Sequence, residues 1–356
     1  MIKLQLFGDF SFNGIYNDPN YKHIINDNFE KLNNDLPLSD FRIINWESPI
    51  TYEAVKASKN KNTICTNPVN LESLNFLGID IANIGNNHIG DFGSEGYFQT
   101  KKIFDELGIE TFGASDIEFQ NFPLKLKKNG YKIALLSYTG ADSCPLEFDV
   151  SKVYLEPINI DKIVSDIHLL DDEYDIIIVS LHWGIEFLRL PSVNQRIIAR
   201  RLVEEGANIV YGHHSHVVQG YEHYNNGIIF YGLGNFMFGG LMGRESNNWI
   251  KESRKILIPT ISINKNTIEV RCNYYLEKDK KIFINNKFFR NFEQKIKNKV
   301  LSLPDYIYSF LYKAEKIYQW IIISPFRFII TSGGLIKSIK RLKLIHLKSL
   351  LHNLFK

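Results

Sequence analysis

The segment Tyr211-Gly212-His213-His214-Ser215-His216 places three imidazoles within four positions, directly after the apolar run Ala207-Asn208-Ile209-Val210. Neutral imidazole is the commonest protein metal ligand. An apolar run bounded by glycine predicts a buried strand. In an extended segment, residues i and i+2 point the same way, so His214 and His216 are expected to face one ion. The same placement recurs along the chain: Asp9, Glu47, Asn87 with His88, and His182 each follow an apolar stretch. Five segments therefore bring oxygen or nitrogen ligands to one expected sheet edge, where open α/β sheets build their sites. A mixed set of imidazole, carboxylate and amide suits Mn, Fe or Zn; magnesium alone would choose oxygens and keep several waters. Taken singly, each residue has a plainer reading. Asp9 after Gly8 caps a turn, Glu47 pairs with a surface lysine, Asn86-Asn87 is a turn pair, and His182 bonds a carbonyl. Only the shared placement at successive strand ends makes one site of them.

The elements that must hold these residues alternate through the first two-thirds of the chain. Residues 2–7, 41–45, 80–84, 132–138, 175–181, 207–210, 227–231, 256–263 and 267–275 predict strands. Residues 96–107, 160–170 and 194–205 predict helices, the first closed by Gly108 and the last by Gly206. The alternation predicts an α/β sandwich with helices outside. A charge cluster at Glu277-Lys278-Asp279-Lys280-Lys281 reads as an exposed turn or boundary, so residues 1–281 are expected to form one domain and 282–356 a helical, basic extension. The chain has 356 residues and a net charge of +3, a near balance that argues against nucleic acid as a partner. Cys65, Cys144 and Cys272 lie far apart, form no CxxC pair and fit a reducing interior. The amino-terminal stretch reads as a first strand interrupted by Asp9 rather than a signal peptide, and no apolar run reaches the length needed to span a bilayer.

Together, Gly8-Asp9, Asn45-Trp46-Glu47-Ser48-Pro49, Asn86-Asn87-His88-Ile89-Gly90-Asp91-Phe92-Gly93, His182-Trp183-Gly184-Ile185-Glu186, Gly212-His213-His214-Ser215-His216 and Tyr231-Gly232-Leu233-Gly234-Asn235-Phe236 resemble the CapA family of bacterial capsule-synthesis proteins, associated with poly-γ-glutamate. That family is similar in fold to the calcineurin-like metallophosphoesterases, and the likeness runs from about Met1 to Phe238. The resemblance implies Asp9, Glu47, Asn87, His182, His214 and His216 as metal ligands, with Glu47 able to bridge two ions. It implies His88 as the residue facing the leaving group, and Asp91, three positions on, could orient it or cap the helix that follows. Glu186 and Asn235 stand as lesser candidates beside the site. There are departures. Ser11 stands where the phosphoesterases carry a histidine, and Asn45-Trp46-Glu47 replaces an aspartate-rich motif, so one or two ions are implied. The extra imidazole leaves open whether His213 or His214 is the ligand.

The implied activity is metal-dependent hydrolysis of a phosphoester in capsule or cell-envelope polymer synthesis. Two alternatives stand beside it: a non-catalytic assembly or export factor that holds an anionic polymer, and amide-bond chemistry on poly-γ-glutamate. Implied partners are the anionic polymer or phosphoester substrate and capsule-synthesis membrane proteins. From Lys337 onward, Lys337, Lys340, Arg341, Lys343, Lys348 and Lys356 are interleaved with Leu and Ile, and no acid intervenes. Such a stretch suits the surface of an anionic membrane. The expected location is therefore cytoplasmic, with peripheral attachment to the inner face of the membrane.

Overall fold

A computed structural model describes residues 1–52, 63–116, 123–143, 153–239, 251–264, 267–278, 281–284 and 287–319. Cys144 and the basic stretch from Lys337 to Lys356 lie outside the described residues. In chain order the strands begin with β1 (Ile2–Ser11), β2 (Phe41–Trp46), β3 (Ile81–Asn83), β4 (Glu110–Phe112), β5 (Leu124–Lys128), β6 (Tyr131–Thr139) and β7 (Ile176–His182). They continue with β8 (Ile209–His213), β9 (Tyr221–Tyr224), β10 (Gly227–Phe230), β11 (Asn235–Phe238), β12 (Lys255–Ile263), β13 (Ile268–Lys278) and β14 (Lys281–Ile284). The helices are α1 (Lys22–Asp35), α2 (Leu74–Leu77), α3 (Gly93–Glu106), α4 (Ile160–Asp171), α5 (Val193–Glu204), α6 (Lys287–Leu301) and α7 (Asp305–Tyr318).

Two sheets form the expected sandwich. The first runs β14-β13-β12-β1-β2-β3-β4, with β11 also paired to β1; the second runs β5-β6-β7-β8-β10-β9. Strand alternation sends one set of side chains between the sheets: Leu4, Leu6, Ile43 and Ile81 from the first meet Ile133, Leu135, Ile178 and Ile209 from the second. The outward set of the first sheet, Phe7, Phe10, Ile44, Trp46 and Ala82, is covered by Ile25, Phe29 and Leu32 of α1, Leu74 and Leu77 of α2, and Tyr97 and Phe104 of α3. On the far side, α4 packs on β7 and α5 on β8 and β10. The predicted strands and helices form at or within a few residues of their expected ends. Helices α1 and α2 and the short strands β4, β5, β9, β11 and β14 are additions, and β14 pairs with β13 where the chain from residue 282 is expected to be helical. Ile25, Phe29 and Leu32 give α1 a helical apolar spacing that is readable but short.

Strand β1 carries the central irregularity. It pairs antiparallel with β12 over Ile2–Gln5, then parallel with β11 from Asp9, and its register against β2 shifts between Leu6 and Asp9. Such a bulge re-aims a side chain. It lets the strand continue through Asp9 to Ser11, past the expected end at residue 7. Gly8 makes the close approach possible: a Cβ there would lie 1.9 Å from the carbonyl oxygen of Gly234, which accepts the Asp9 N–H at 2.8 Å.

One compact unit comprises Met1–Leu303 and a second Pro304–Lys356. The first extends past the expected boundary at 281 because α6 is bound into it. Lys297 Nζ donates to the Val218 carbonyl at 2.7 Å, and Gln294 Nε2 to that of Gln219 at 2.9 Å. Among the described residues no helix is long and apolar enough to cross a membrane.

The sheets are also joined by a buried polar bridge. Asn83 on β3 donates from Nδ2 to Ser180 Oγ of β7 at 2.8 Å and accepts from Ser137 Oγ of β6 at 3.0 Å and from Gly85 N at 2.9 Å. Replacing Asn83 by Ala leaves buried donors and acceptors without partners. The expected loss is about 1–3 kcal/mol of unfolding free energy, read by urea denaturation; an unchanged midpoint would show that the bridge is energetically idle.

Candidate metal centre

The two sheets bring their carboxyl strand ends together, and the polar residues predicted from the sequence meet there. Asp9 is in β1, Glu47 directly follows β2, Asn87 and His88 are in the turn after β3, His182 ends β7, and His213 ends β8. His182 and His213 are register partners on neighbouring strands. Asp9, Glu47, His182, His213, His214 and His216 are all buried.

Two groups of potential ligand atoms form, each with its atoms within 4.8 Å of one another: Glu47 with His182 and His214, and Asp9 with Glu47 and His216. Glu47 belongs to both. His214 and His216 therefore face different groups, contrary to the single-ion geometry expected of an extended H-x-H. The reason is local. Strand β8 ends at His213, and His214 and His216 take left-handed backbone conformations, φ +78° and +54°. For residues other than glycine these cost about 1–3 kcal/mol each and persist where surrounding contacts impose them.

The contacts around each ligand explain its orientation. Asp9 Oδ1 accepts from His213 Nδ1 at 3.0 Å and from Asn45 Nδ2 at 2.9 Å; Oδ2 accepts from the His214 N–H at 3.2 Å. His216 donates from Nδ1 to Asn235 Oδ1 at 2.8 Å, which leaves Nε2 turned to Glu47 Oε1 at 3.8 Å. His182 donates from Nε2 to Asn87 Oδ1 at 2.8 Å and lies 3.6 Å from Glu47 Oε1. Asn87 thus reaches the first group through His182. His213, the alternative ligand to His214, lies outside both groups and serves as a hydrogen-bond partner of Asp9. Ser11 is also outside them: its hydroxyl donates to Ser48 Oγ at 2.8 Å.

His88 and Asp91 form a buried pair, Nδ1 to Oδ2, at 2.8 Å, and Asp91 also accepts the Ile64 N–H at 2.9 Å. Asp91 makes no cap for α3, whose N-cap is Phe92 without a side-chain hydrogen bond. Asn86, read from the sequence as a turn residue, clamps the loop. Its Oδ1 accepts from His88 N and Ile89 N, and its Nδ2 donates to the Trp46 carbonyl beside Glu47. Sequence reasoning gave Asn45 no role of its own. Its place in the Asn-Trp-Glu motif was the available signal.

Electrostatics follow from this burial. Burial alone would raise the Asp9 carboxyl, but hydrogen bonds and charge from His213 and His216 outweigh it and hold Asp9 well below the usual range. Burial, then the Asp9 charge, push Glu47 well above it. Burial would lower His216, yet Glu47 and Asp9 raise it to about 10. Burial, and then neighbouring imidazoles, hold His182 well below the ordinary value; burial brings His214 to about 4. The half-buried Glu186 adds its charge at Glu47, His214 and His216.

The donor set fits a divalent cation. Both Glu47 oxygens, His182 Nδ1, His214 Nδ1 and His216 Nε2 are buried without a hydrogen-bond partner among the described residues. Buried polar atoms without partners are costly, and once His216 gives up its second proton these five are acceptors of the kind a metal takes.

The sequence profile of the family described as bacterial capsule synthesis protein PGA_cap matches residues 3–240. The chain is 32% identical over 215 residues to the capsule biosynthesis protein CapA of Bacillus anthracis, covering 56% of this chain and 51% of that protein. It is 31% identical over 204 residues to the PGA biosynthesis protein CapA of Bacillus subtilis (strain 168), covering 56% and 53%. The chain thus spans about half the length of the curated relatives it matches. A solved structure described as a novel phosphatase from Mycoplasma pneumoniae aligns with a TM-score of 0.51 at 14% identity, over 78% of this chain and 94% of that one, which shows the fold.

His216, raised to about 10, holds a proton through neutral pH that a cation must displace, and burial beside Asp9 pushes Glu47 in the same direction; His214, at about 4, is already neutral there, and Asp9 is held well below the usual carboxylate range. Divalent-metal affinity should therefore rise with pH, with net proton release at neutral pH. Titration calorimetry in buffers of different ionisation enthalpy checks this, and uptake without proton release would contradict it. Because Glu47 belongs to both ligand groups, Glu47→Ala should abolish divalent-metal uptake in the same titration.

Proposed function

The chain belongs to the bacterial capsule synthesis protein family PGA_cap, and from that premise we propose that it is a metal-dependent hydrolase of a phosphoester in capsule or cell-envelope polymer synthesis. The observation that carries this reading is the buried Glu47 shared between two ligand groups. A shared carboxylate is the arrangement that holds two cations a few ångströms apart. Glu47, His182 and His214 would hold one cation with Asn87 beside them; Asp9, Glu47 and His216 would hold the other. Mn, Fe or Zn suits these donors. When bound, such ions supply a water of lowered pKa and offset charge on a phosphoryl oxygen.

The remaining work falls to the chain itself. Asp91 holds His88 through Nδ1, so the other ring nitrogen, Nε2, is the one available to carry a proton to a leaving oxygen. Asn87 Oδ1 now accepts from His182, and its amide NH₂ remains available to donate to a substrate oxygen. Burial of the surrounding acids and imidazoles strengthens every one of these interactions. The names of the Bacillus relatives, capsule biosynthesis and PGA biosynthesis, support an anionic envelope polymer as the context.

A second reading, a non-catalytic assembly factor that binds an anionic polymer, is favoured by one observation. Ser11 is turned to Ser48, so the group Asp9, Glu47 and His216 has three ligands and no fourth from β1.

Protein loaded with Mn or Zn should hydrolyse simple phosphomonoesters or phosphodiesters. His88→Asn should lower kcat by about 10²–10⁴-fold while metal content, measured by elemental analysis, stays unchanged. Loaded protein that turns over neither ester class would sink the hydrolase reading. Cleavage of γ-glutamyl amides in place of esters would move the reaction to the polymer itself.

A further inference from the structure

Helix α7 (Asp305–Tyr318) exposes the wrong face for a helix that serves only a soluble domain. Tyr306, Phe310, Lys313, Ala314 and Ile317 follow the spacing i, i+4, i+7, i+8, i+11, and all five are exposed. Tyr306 is 76% exposed and Phe310 72%, and Tyr318 extends the stripe at its end. On the opposite side Tyr308 is buried. Large exposed apolar residues elsewhere in the described chain, such as Leu38 and Leu169, belong to no such stripe. A contiguous exposed stripe marks an interaction surface. Tyrosine and phenylalanine are residues that settle at the boundary between lipid tails and headgroups.

Charge identifies the occupant. The unit Pro304–Lys356 contains nine Lys or Arg residues and two acidic ones, Asp305 and Glu315. No acid follows Glu315, whereas the whole chain nets only +3, so the rest of the protein is net acidic. A soluble partner protein would need matching acidic and apolar patches in one groove. A bilayer that contains anionic lipid offers both everywhere, and its surface potential attracts clustered Lys and Arg. One recruitment signal gives marginal, reversible binding, whereas two together give stable attachment. The aromatic stripe and the basic sequence that follows it in the chain are two such signals.

We infer that α7 is a membrane-docking helix: its stripe Tyr306, Phe310 and Ile317 inserts at the boundary of an anionic bilayer, while the following basic segment holds the headgroups. The inference stands apart from the metal centre and does not require catalysis.

The test is co-sedimentation of the full chain with vesicles. Protein should pellet with phosphatidylcholine vesicles in which about a third of the lipid is phosphatidylglycerol, should stay in solution with phosphatidylcholine alone, and should be released by raised salt. Two variants separate the contributions. Tyr306→Ser combined with Phe310→Ser changes exposed side chains only, so circular dichroism and metal content should be retained while vesicle partitioning falls at least about tenfold. Lys340→Gln with Arg341→Gln and Lys343→Gln should weaken binding and flatten its salt dependence. Absence of binding to anionic vesicles would overturn the inference and direct attention to a protein partner. Binding that survives the α7 substitutions undiminished would overturn the role of the helix, leaving charge alone as the cause.

Discussion

A carboxylate without a donor of its own dictates the arrangement around it. Glu47 is fully buried, and neither of its oxygens has a hydrogen-bond partner among the described residues. An ion in that position would cost several kcal/mol if left unpaired. The surroundings offer only two remedies: a proton, which the raised pKa of Glu47 favours, or a cation shared with the imidazoles of His182, His214 and His216. The fold is committed to this arrangement, because the backbone of Glu47 is itself held to the Phe10 carbonyl at 2.8 Å, one residue beyond Asp9.

Asp9 shows the opposite treatment of the same functional group. Three donors from three elements converge on it: Asn45 from β2, His213 from β8 and the backbone of His214. Two buried carboxylates a short distance apart cannot both ionise cheaply, and the structure resolves this by giving every donor to one of them. The geometry that allows it is strained. The bulge in β1, the close pass of Gly8 against Gly234, and the left-handed backbone at His214 and His216 all lie around Asp9. Such features are held in place by their surroundings, and they gather where pre-organisation matters.

The unequal groups also divide the labour. The group of Glu47, His182 and His214 has Asn87 at its side and lies near His88. The group of Asp9, Glu47 and His216 is braced by Asn235 and lacks a contribution from Ser11. The two groups should differ in affinity for a cation for that reason. Support comes from outside the strand ends too: α6 grips the carbonyls of Val218 and Gln219, just past the histidine motif, so a helix distant in sequence steadies the loop that carries His216.

Most of the candidate residues were legible from sequence alone. Apolar runs of strand length ending in Asp9, Glu47, Asn87-His88 and His182, and the imidazole cluster through His216, announce a mixed-ligand site at strand ends, because strand burial and turn chemistry are encoded within a few neighbouring residues. The i, i+3 spacing of His88 and Asp91 likewise suggested their contact. Tertiary structure alone decided how these residues are shared. That Asp9 pairs with His213, 204 positions away, depends on two sheets packing in one register and on a bulge that turns one side chain. That His214 and His216 separate into two groups depends on left-handed backbone that an extended reading of H-x-H does not contain. That Asn45, Asn86 and Asn235 are supports depends on which acceptors and donors happen to face them. Local sequence carries periodicity and propensity, which specify elements; partners are chosen by packing between elements far apart in the chain, and no short window of sequence holds that information.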